Sequence, residues 1–436
     1  MTHRHTSGSA GRPVDGAGKG RGGRIFYGWW MVASACGLQF MQSGLLLQSL
    51  GAYIAVLREE FGWSKTALSG AAVIMQMENA LLGPIQGWIA DRFGPRGMIR
   101  GAIVVFGVGF ILLSRVESLA GFYGAFLVLA LGSALSGYFP LTVTLVQWFE
   151  RKRARALSSM QLGFAAGGMA VPAVAWSLLS FGWRETAFAS GVLIIVLGLP
   201  LASMLRGRPE DHGETVDGEP LPSGPSAGVA AGVSNGPRDY TTKEALRTPA
   251  FWFISFGHGF ALLTVSAVNV HAITHMKEGL GYSIPTAALV IGIMTFSQFG
   301  GILLAGTIGD RFEKRLLSAG CMVLHMVGLV FLTYAAVFGM VIAFAVVHGL
   351  AWGLRGPLMG AIRADYFGRS SIGLIMGFSS MVALVGQVSG PMIAGILADA
   401  TGNYRAGFTV VAVLSGLGSA FFFFAKPPHA SGRISR

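Results

Sequence analysis

Charge is what this chain has least of. Asp, Glu, Lys and Arg make up 12% of its 436 residues, against roughly 25% in an average soluble domain. A surface facing water on all sides needs more, so most of this chain is not in water. Acids are scarcer than bases, 20 against 32, which leaves a net charge of +12. That surplus does not point to nucleic acid, because the basic residues sit in short loops between apolar spans, the pattern of cytoplasmic loops in membrane proteins. Cysteine is limited to Cys36 and Cys321, both inside apolar stretches far apart in sequence. Neither a disulfide nor a metal site is expected from them. No phosphate loop, Ser-His-Asp set, zinc spacing or dinucleotide fingerprint appears, and Gly167-Gly168 and Gly300-Gly301 have no strand before them. An enzyme is therefore not expected, and no cofactor is called for.

What the chain has in abundance is apolar and small residues: 53% of it is hydrophobic and 64 residues are glycine. A helix needs about 20 apolar residues to cross a bilayer. Twelve such stretches can be marked, at 28–54, 65–90, 98–116, 119–147, 156–181, 185–205, 250–274, 284–309, 315–336, 340–364, 371–398 and 405–425. Small residues let such helices approach closely where hydrophobicity no longer drives association. The first apolar run is too long for a signal-peptide core, so residues 1–26 read as a disordered tail.

Lys and Arg set the orientation. One side collects Arg92, Arg96, Arg100, the run Arg151-Lys152-Arg153-Ala154-Arg155, Arg311, Lys314, Arg315 and Arg369. The other has isolated bases such as Arg58, Arg115, Arg184, Lys277 and Arg405. Both termini should face the cytoplasm, with the chain in the cell inner membrane. Gly207 to Arg247 is rich in Pro, Gly, Ser and acids without periodicity and reads as a cytoplasmic linker.

An internal repeat fixes the architecture. Gly87-Trp88-Ile89-Ala90-Asp91-Arg92-Phe93 returns as Gly306-Thr307-Ile308-Gly309-Asp310-Arg311-Phe312, 219 residues later. Trp148-Phe149-Glu150-Arg151 returns as Tyr366-Phe367-Gly368-Arg369, 218 later. The expected fold is an all-α membrane protein of 12 transmembrane helices in two six-helix bundles. Its divisions are a tail at 1–26, a bundle at 27–206, the linker at 207–247, a second bundle at 248–426 and a tail at 427–436.

The segment Gly87-x-x-x-Asp91-Arg92-Phe93-Gly94-x-Arg96 resembles the loop motif of the major facilitator superfamily, and Gly306-x-x-x-Asp310-Arg311 is a weaker second copy. Asp91 ends its helix at the negative pole and needs an arginine or the start of another helix. The resemblance implies a conformational latch made by Asp91, Arg92, Arg96, Asp310 and Arg311, docking near Ser371. Within the superfamily, Tyr27-Gly28-Trp29-Trp30 and the run from Pro140 to Trp148-Phe149-Glu150-Arg151-Lys152-Arg153 look like monocarboxylate transporters and their oxalate–formate antiporter relatives. The family's eighth-helix arginine is absent, since its position is Ile302.

Another charge is placed to replace it. Arg355 lies about 12 residues, or ~18 Å of helix, from the end of the tenth span, near the midplane at ~15 Å. Its repeat mate is Gly137, so the fold does not require the charge. Its fork suits a carboxylate; the alternative is a fixed salt bridge with Glu78. Glu78 lies 13 residues before Asp91 and is a candidate proton carrier or a structural acid. Tyr138, Phe139, His258, Gln42 and Asn269 are further candidates for substrate contact, with Gln39, Gln48 and His271 weaker. Arg363 reads as a local pair with Asp365, and His325 as structural. The reading is a monomeric secondary transporter of small monocarboxylates or related organic anions, working by alternating access with a proton as candidate partner. Its rivals are an antiporter of another anion or a neutral solute, and a receptor on a transporter fold.

Overall fold

The computed structural model describes residues 25–64, 68, 82–218 and 239–428, and the described residues contain no strand. Eleven helical stretches among them are long and apolar enough to cross a membrane. The expected second span, 65–90, is represented by its last part only, and Glu78 lies outside the described residues.

The first span is α1 (Tyr27–Gln42) and α2 (Leu50–Phe61), joined by a π turn at Ser43–Leu47. Then follow α3 (Gly83–Phe93), α4 (Pro95–Leu113), and the fourth span, α5 (Leu119–Ser136) with α6 (Tyr138–Trp148). The fifth is α7 (Arg153–Gly167) with α8 (Val171–Phe181), and the sixth α9 (Trp183–Met204). Beyond the linker, a single short turn, α10 (Thr242–Leu246), precedes α11 (Pro249–Thr274) and α12 (Ile284–Ile308). The last four are α13 (Lys314–Thr333), α14 (Phe338–Phe367), α15 (Ile372–Thr401) and α16 (Arg405–Phe424).

Local sequence explains the starts and stops. Ser118, Thr248 and Ser283 cap α5, α11 and α12 by accepting the N–H of Gly121, Phe251 and Thr286. Proline stands in the first turn of α4, α11 and α12, where its missing donor costs nothing. The fourth span breaks at Gly137 because Pro140 has no N–H for the carbonyl four residues back. A Cβ on Gly137 would meet Gln42 Nε2 at 2.5 Å, so only glycine lets the first span close over the break.

The halves meet mainly along α3 with α15, α7 with α12, and α14 with α6 and α7. Gly83 and Gly87 face Gly377 and Gly373 so tightly that a Cβ on Gly87 would lie 2.4 Å from the Gly373 carbonyl oxygen. This small-residue seam matches the close approach expected of helices in lipid. All these contacts lie toward one membrane face, that of the loops carrying Arg92, Arg151 and Arg369, called here the basic face.

The two ends of the linker are folded onto that face. Asp217 accepts the backbone N–H of Glu150 at 3.1 Å and of Arg151 at 2.8 Å. Asp239 accepts those of Arg369 at 2.7 Å and Ser370 at 3.4 Å. Glu150–Arg151 and Gly368–Arg369 are repeat mates, so each end of the linker caps the same loop in one half. Residues 219–238 between them lie outside the described residues.

Candidate functional site

A cavity of about 450 Å³ lies between the halves, walled by α1, α3, α5–α7, α11, α12, α14 and α15. Of the residues singled out from sequence, Arg355, Tyr138, Phe139, His258, Gln42 and Gln39 line it. So does Ile302, the position left without an arginine. Asn269 is absent from its wall and exposed three turns beyond His258 along α11. His271 bonds the Pro391 carbonyl at 3.0 Å, and Gln48 bonds Ser43 at 2.8 Å; both join chain to chain.

The cavity's described wall holds two cations, Arg355 and Arg363, and no Asp or Glu. The two arginines differ in their bonding. Arg363 is 4% exposed and fully engaged. It donates to Ser379 Oγ at 3.0 and 2.7 Å, to the Met359 carbonyl at 2.6 Å and to His258 Nδ1 at 2.9 Å. That last bond makes His258 Nδ1 the acceptor and leaves Nε2 protonated. The local pair expected between Arg363 and Asp365 does not form. Residues two apart on a helix point to opposite sides, and Asp365 turns instead to Arg153 at 2.5 Å and Lys314 at 2.8 Å.

Arg355 is 2% exposed, and its Nε and Nη1 have no hydrogen-bond partner among the described residues. A buried cation normally finds a partner or costs several kcal/mol. The amide of Gln39, across the cavity on α1, is likewise buried with neither atom bonded. Gln42 differs: its Nε2 donates to the carbonyl and hydroxyl of Ser133 at 2.7 and 2.6 Å, leaving Oε1 as its open acceptor. Sequence reasoning passed over Gln161, Gln298 and Trp352, which also face the cavity. Their signal was depth in a cavity-lining span, and depth alone does not tell which way a side chain points.

At the basic face the two repeated acids make the same contact in mirror fashion. Asp91 accepts the N–H of Gly373 at 3.2 Å and of Leu374 at 3.0 Å, in the first turn of α15. Asp310 accepts those of Ala154 at 2.8 Å and Arg155 at 3.0 Å, in the first turn of α7. A helix start presents unpaired N–H groups and a partial positive charge, so each acid has found the partner its own helix lacked. Burial pushes the Asp310 carboxyl above its ordinary range, and its N–H donors and Lys314 take back part of that rise. Two arginines of the motif have contacts in the first half: Arg92 stacks on Trp88, its guanidinium 5.5 Å from the ring centre, and Arg96 donates to the Ser203 carbonyl at 3.3 Å. Arg311 is exposed.

The two short segments that carry the closer resemblance touch each other. Phe26 and Trp29 pack on Phe149 with ring centres 5.6 and 5.0 Å apart, and Tyr27 on Trp148 at 5.9 Å. They form one aromatic knot that ties the first span to the fourth at the basic face.

Two bundles of membrane-crossing helices around a shared cavity, closed along one face by paired acid-to-helix contacts, define a membrane transporter. The family model of the Major Facilitator Superfamily matches residues 32–270 and 254–436, and the chain belongs to that superfamily. Bovine (Bos taurus) monocarboxylate transporter 13 is 25% identical over 92% of this chain and 91% of its own length. Membrane sensor protein UhpC of Escherichia coli (strain K12) is 26% identical over 52% of each chain. Among solved structures, the transporter FucP in its outward conformation superimposes with a TM-score of 0.70, at 13% identity, over 92% of this chain and 100% of FucP. At that identity the likeness speaks for the fold.

Proposed function

We propose that this protein is a secondary carrier of small organic anions, with monocarboxylates the first class to test, working by alternating access in the cell inner membrane with both termini cytoplasmic. One observation carries the reading. Arg355 is buried at the cavity wall with part of its guanidinium unbonded, in a cavity whose described wall has no acid to neutralise it. A carboxylate offers the two parallel acceptors that this fork lacks, and it removes the cost of an uncompensated charge. The aromatic faces of Tyr138 and Phe139 and the apolar Ile302 suit a short hydrocarbon tail. His258 and Gln42 offer one polar contact each, and Asn269 is not part of the proposed site. The name of monocarboxylate transporter 13, a relative aligned over nearly its whole length, supports the same class. Glu78, outside the described residues, keeps its proposed part as a proton carrier.

The test is thermal stabilisation of purified protein by a panel of sodium carboxylates, since a ligand that binds only the native state raises its melting temperature. Short monocarboxylates should stabilise the parent and lose that effect in Arg355→Gln. Stabilisation by neutral sugars alone, or equal stabilisation of both proteins, would remove the anion reading. The similarity to a membrane sensor favours a second reading, a receptor on the same fold. Carboxylate flux into vesicles containing the protein alone separates the two, because a receptor binds without transporting.

A further inference from the structure

Beneath the cavity wall, in the second half, lies a pair of histidines that the transport reading does not use. His325 on α13 and His348 on α14 are both 0% exposed. Their Nδ1 atoms are 3.1 Å apart and their ring centres 4.4 Å apart. Both Nε2 atoms are buried and have no partner among the described residues. At the matching repeat positions, 219 and 218 residues earlier, stand Phe106 and Ala130. The helix crossing therefore packs well without a polar pair, and the histidines need another explanation than the fold.

The surroundings hold one cation. α12 has no charged residue from Ile284 to Ile308, and α16 has only Arg405 at its start. On α13 the charges, Lys314 and Arg315, are in the first turn, and Cys321 stands one turn from His325. On α14, Phe344 packs its ring 5.4 Å from that of His348, and Arg363 with Asp365 lies more than four turns on. His258 is on α11, held by Arg363. The next charge along α14 from His348 is that of Arg355. It is seven residues beyond His348, which places it on the same side of α14 and about 10 Å along it.

We propose that the His325–His348 pair is a proton site set by the charge at Arg355: it takes up one proton when an anion neutralises that arginine and releases it when the anion leaves. The proton count follows from the bonding. In the neutral pair one ring donates Nδ1–H to the other's Nδ1 lone pair, and the acceptor ring carries its own hydrogen on Nε2. One further proton from water enters at the remaining Nε2 lone pair, giving a monocation with the Nδ1 bridge intact. A second would set N–H against N–H, so the pair holds one. The coupling is reciprocal: a protonated pair favours the bound anion as much as the anion favours the proton. A carboxylate and a proton would then cross together as a neutral load.

The first arm of the test needs no ligand and does not depend on the carboxylate reading. Arg355→Gln removes the charge that a bound anion would neutralise. With [15N]histidine in full-chain protein in nanodiscs, nitrogen shifts of the pair are followed from about pH 4 to about pH 8. The titration midpoint should rise by about one pH unit in Arg355→Gln, from one unit charge at ~10 Å and an effective dielectric of ~20. Assignment comes from His325→Asn, which removes one ring and the shared titration; if it fails to fold, His348→Gln serves. An unshifted midpoint, or no titration in either protein, overturns the proposal. In the second arm, sodium pyruvate is added to unbuffered protein with a pH dye. Proton uptake that disappears in His325→Asn while pyruvate still binds supports the site; uptake that persists there overturns it. If pyruvate does not bind, the substrate reading fails and the first arm alone decides the proton site.

Discussion

Arg355 and Arg363 lie two turns apart on one helix, equally buried, yet they should respond in opposite ways to the same substitution. Arg363 satisfies three partners, so Arg363→Gln strands His258 Nδ1 and leaves the Ser379 hydroxyl only its bond to Ser255, and should lower stability by about 2–4 kcal/mol. Arg355 has unbonded guanidinium nitrogens, so Arg355→Gln removes a buried charge and should raise the melting temperature or leave it unchanged while carboxylate affinity drops at least about tenfold. Arg355→Lys keeps the charge without the fork and should recover only part of that affinity. Melting curves with and without ligand read all three; a parent-like melting curve for Arg363→Gln would contradict the bonding described. Arg355 was legible in the sequence because depth follows from counting along a span and charge at midplane depth is rare. The partner of Arg363 was not, because sequence adjacency to Asp365 hides the ~200° that separates them around the helix. His348 was missed for a related reason: its significance is its contact with His325, and that depends on how α13 crosses α14.

At the scale of elements, the acid-to-helix contacts set two N–H bonds against the desolvation of a carboxylate. Burial raises the Asp310 carboxyl against the pull of its two N–H donors, so docking returns only part of what desolvation costs. Under the alternating access proposed above, that suits a joint which opens in every cycle. Asparagine offers one oxygen where two donors converge and turns its own NH2 toward the other. Asp91→Asn and Asp310→Asn should each weaken closure of the basic face by about 1 kcal/mol. The double variant should add nearly both effects, since the contacts are far apart. Single-molecule or bulk fluorescence between labels on the two halves at that face would show the open population rising; unchanged distances in the double variant would reduce both acids to loop caps. The need of Asp91 for a partner was readable from the dipole argument and the place of docking from the family resemblance; the contacts are with Gly373 and Leu374, two and three residues beyond Ser371. What the sequence hid was internal irregularity. The π turn after Gln42 and the break at Gly137 interrupt stretches that composition presents as continuous apolar runs, and the break is what sets Tyr138 at the start of α6 on the cavity wall. The linker hid its ends in the same way: Asp217 and Asp239 sit in polar, aperiodic sequence, and their role appears only when the loops they cap are seen.

For the whole molecule, the repeat and the count of apolar stretches made two bundles legible before any coordinates, but not which face is shut. The seams of α3 with α15 and α7 with α12 point to a basic face that is closed here and must part for the cavity to reach that side. Ser158 and Gly306 make this testable. A Cβ built on Gly306 would lie 3.3 Å from that of Ser158, close to the ~3.5–4.5 Å span of a disulfide. In a Cys36→Ser, Cys321→Ala background, Ser158→Cys with Gly306→Cys should cross-link under mild oxidant and hold the seam shut. The oxidised protein should still bind carboxylate from the opposite face, because Arg355 and the cavity wall are untouched, but transport should stop. Reduction should restore it. Loss of binding together with transport would mean that the ligand enters from the basic face. Full transport by the cross-linked protein would mean that the α7–α12 seam never opens, and that the halves do not rock about the cavity.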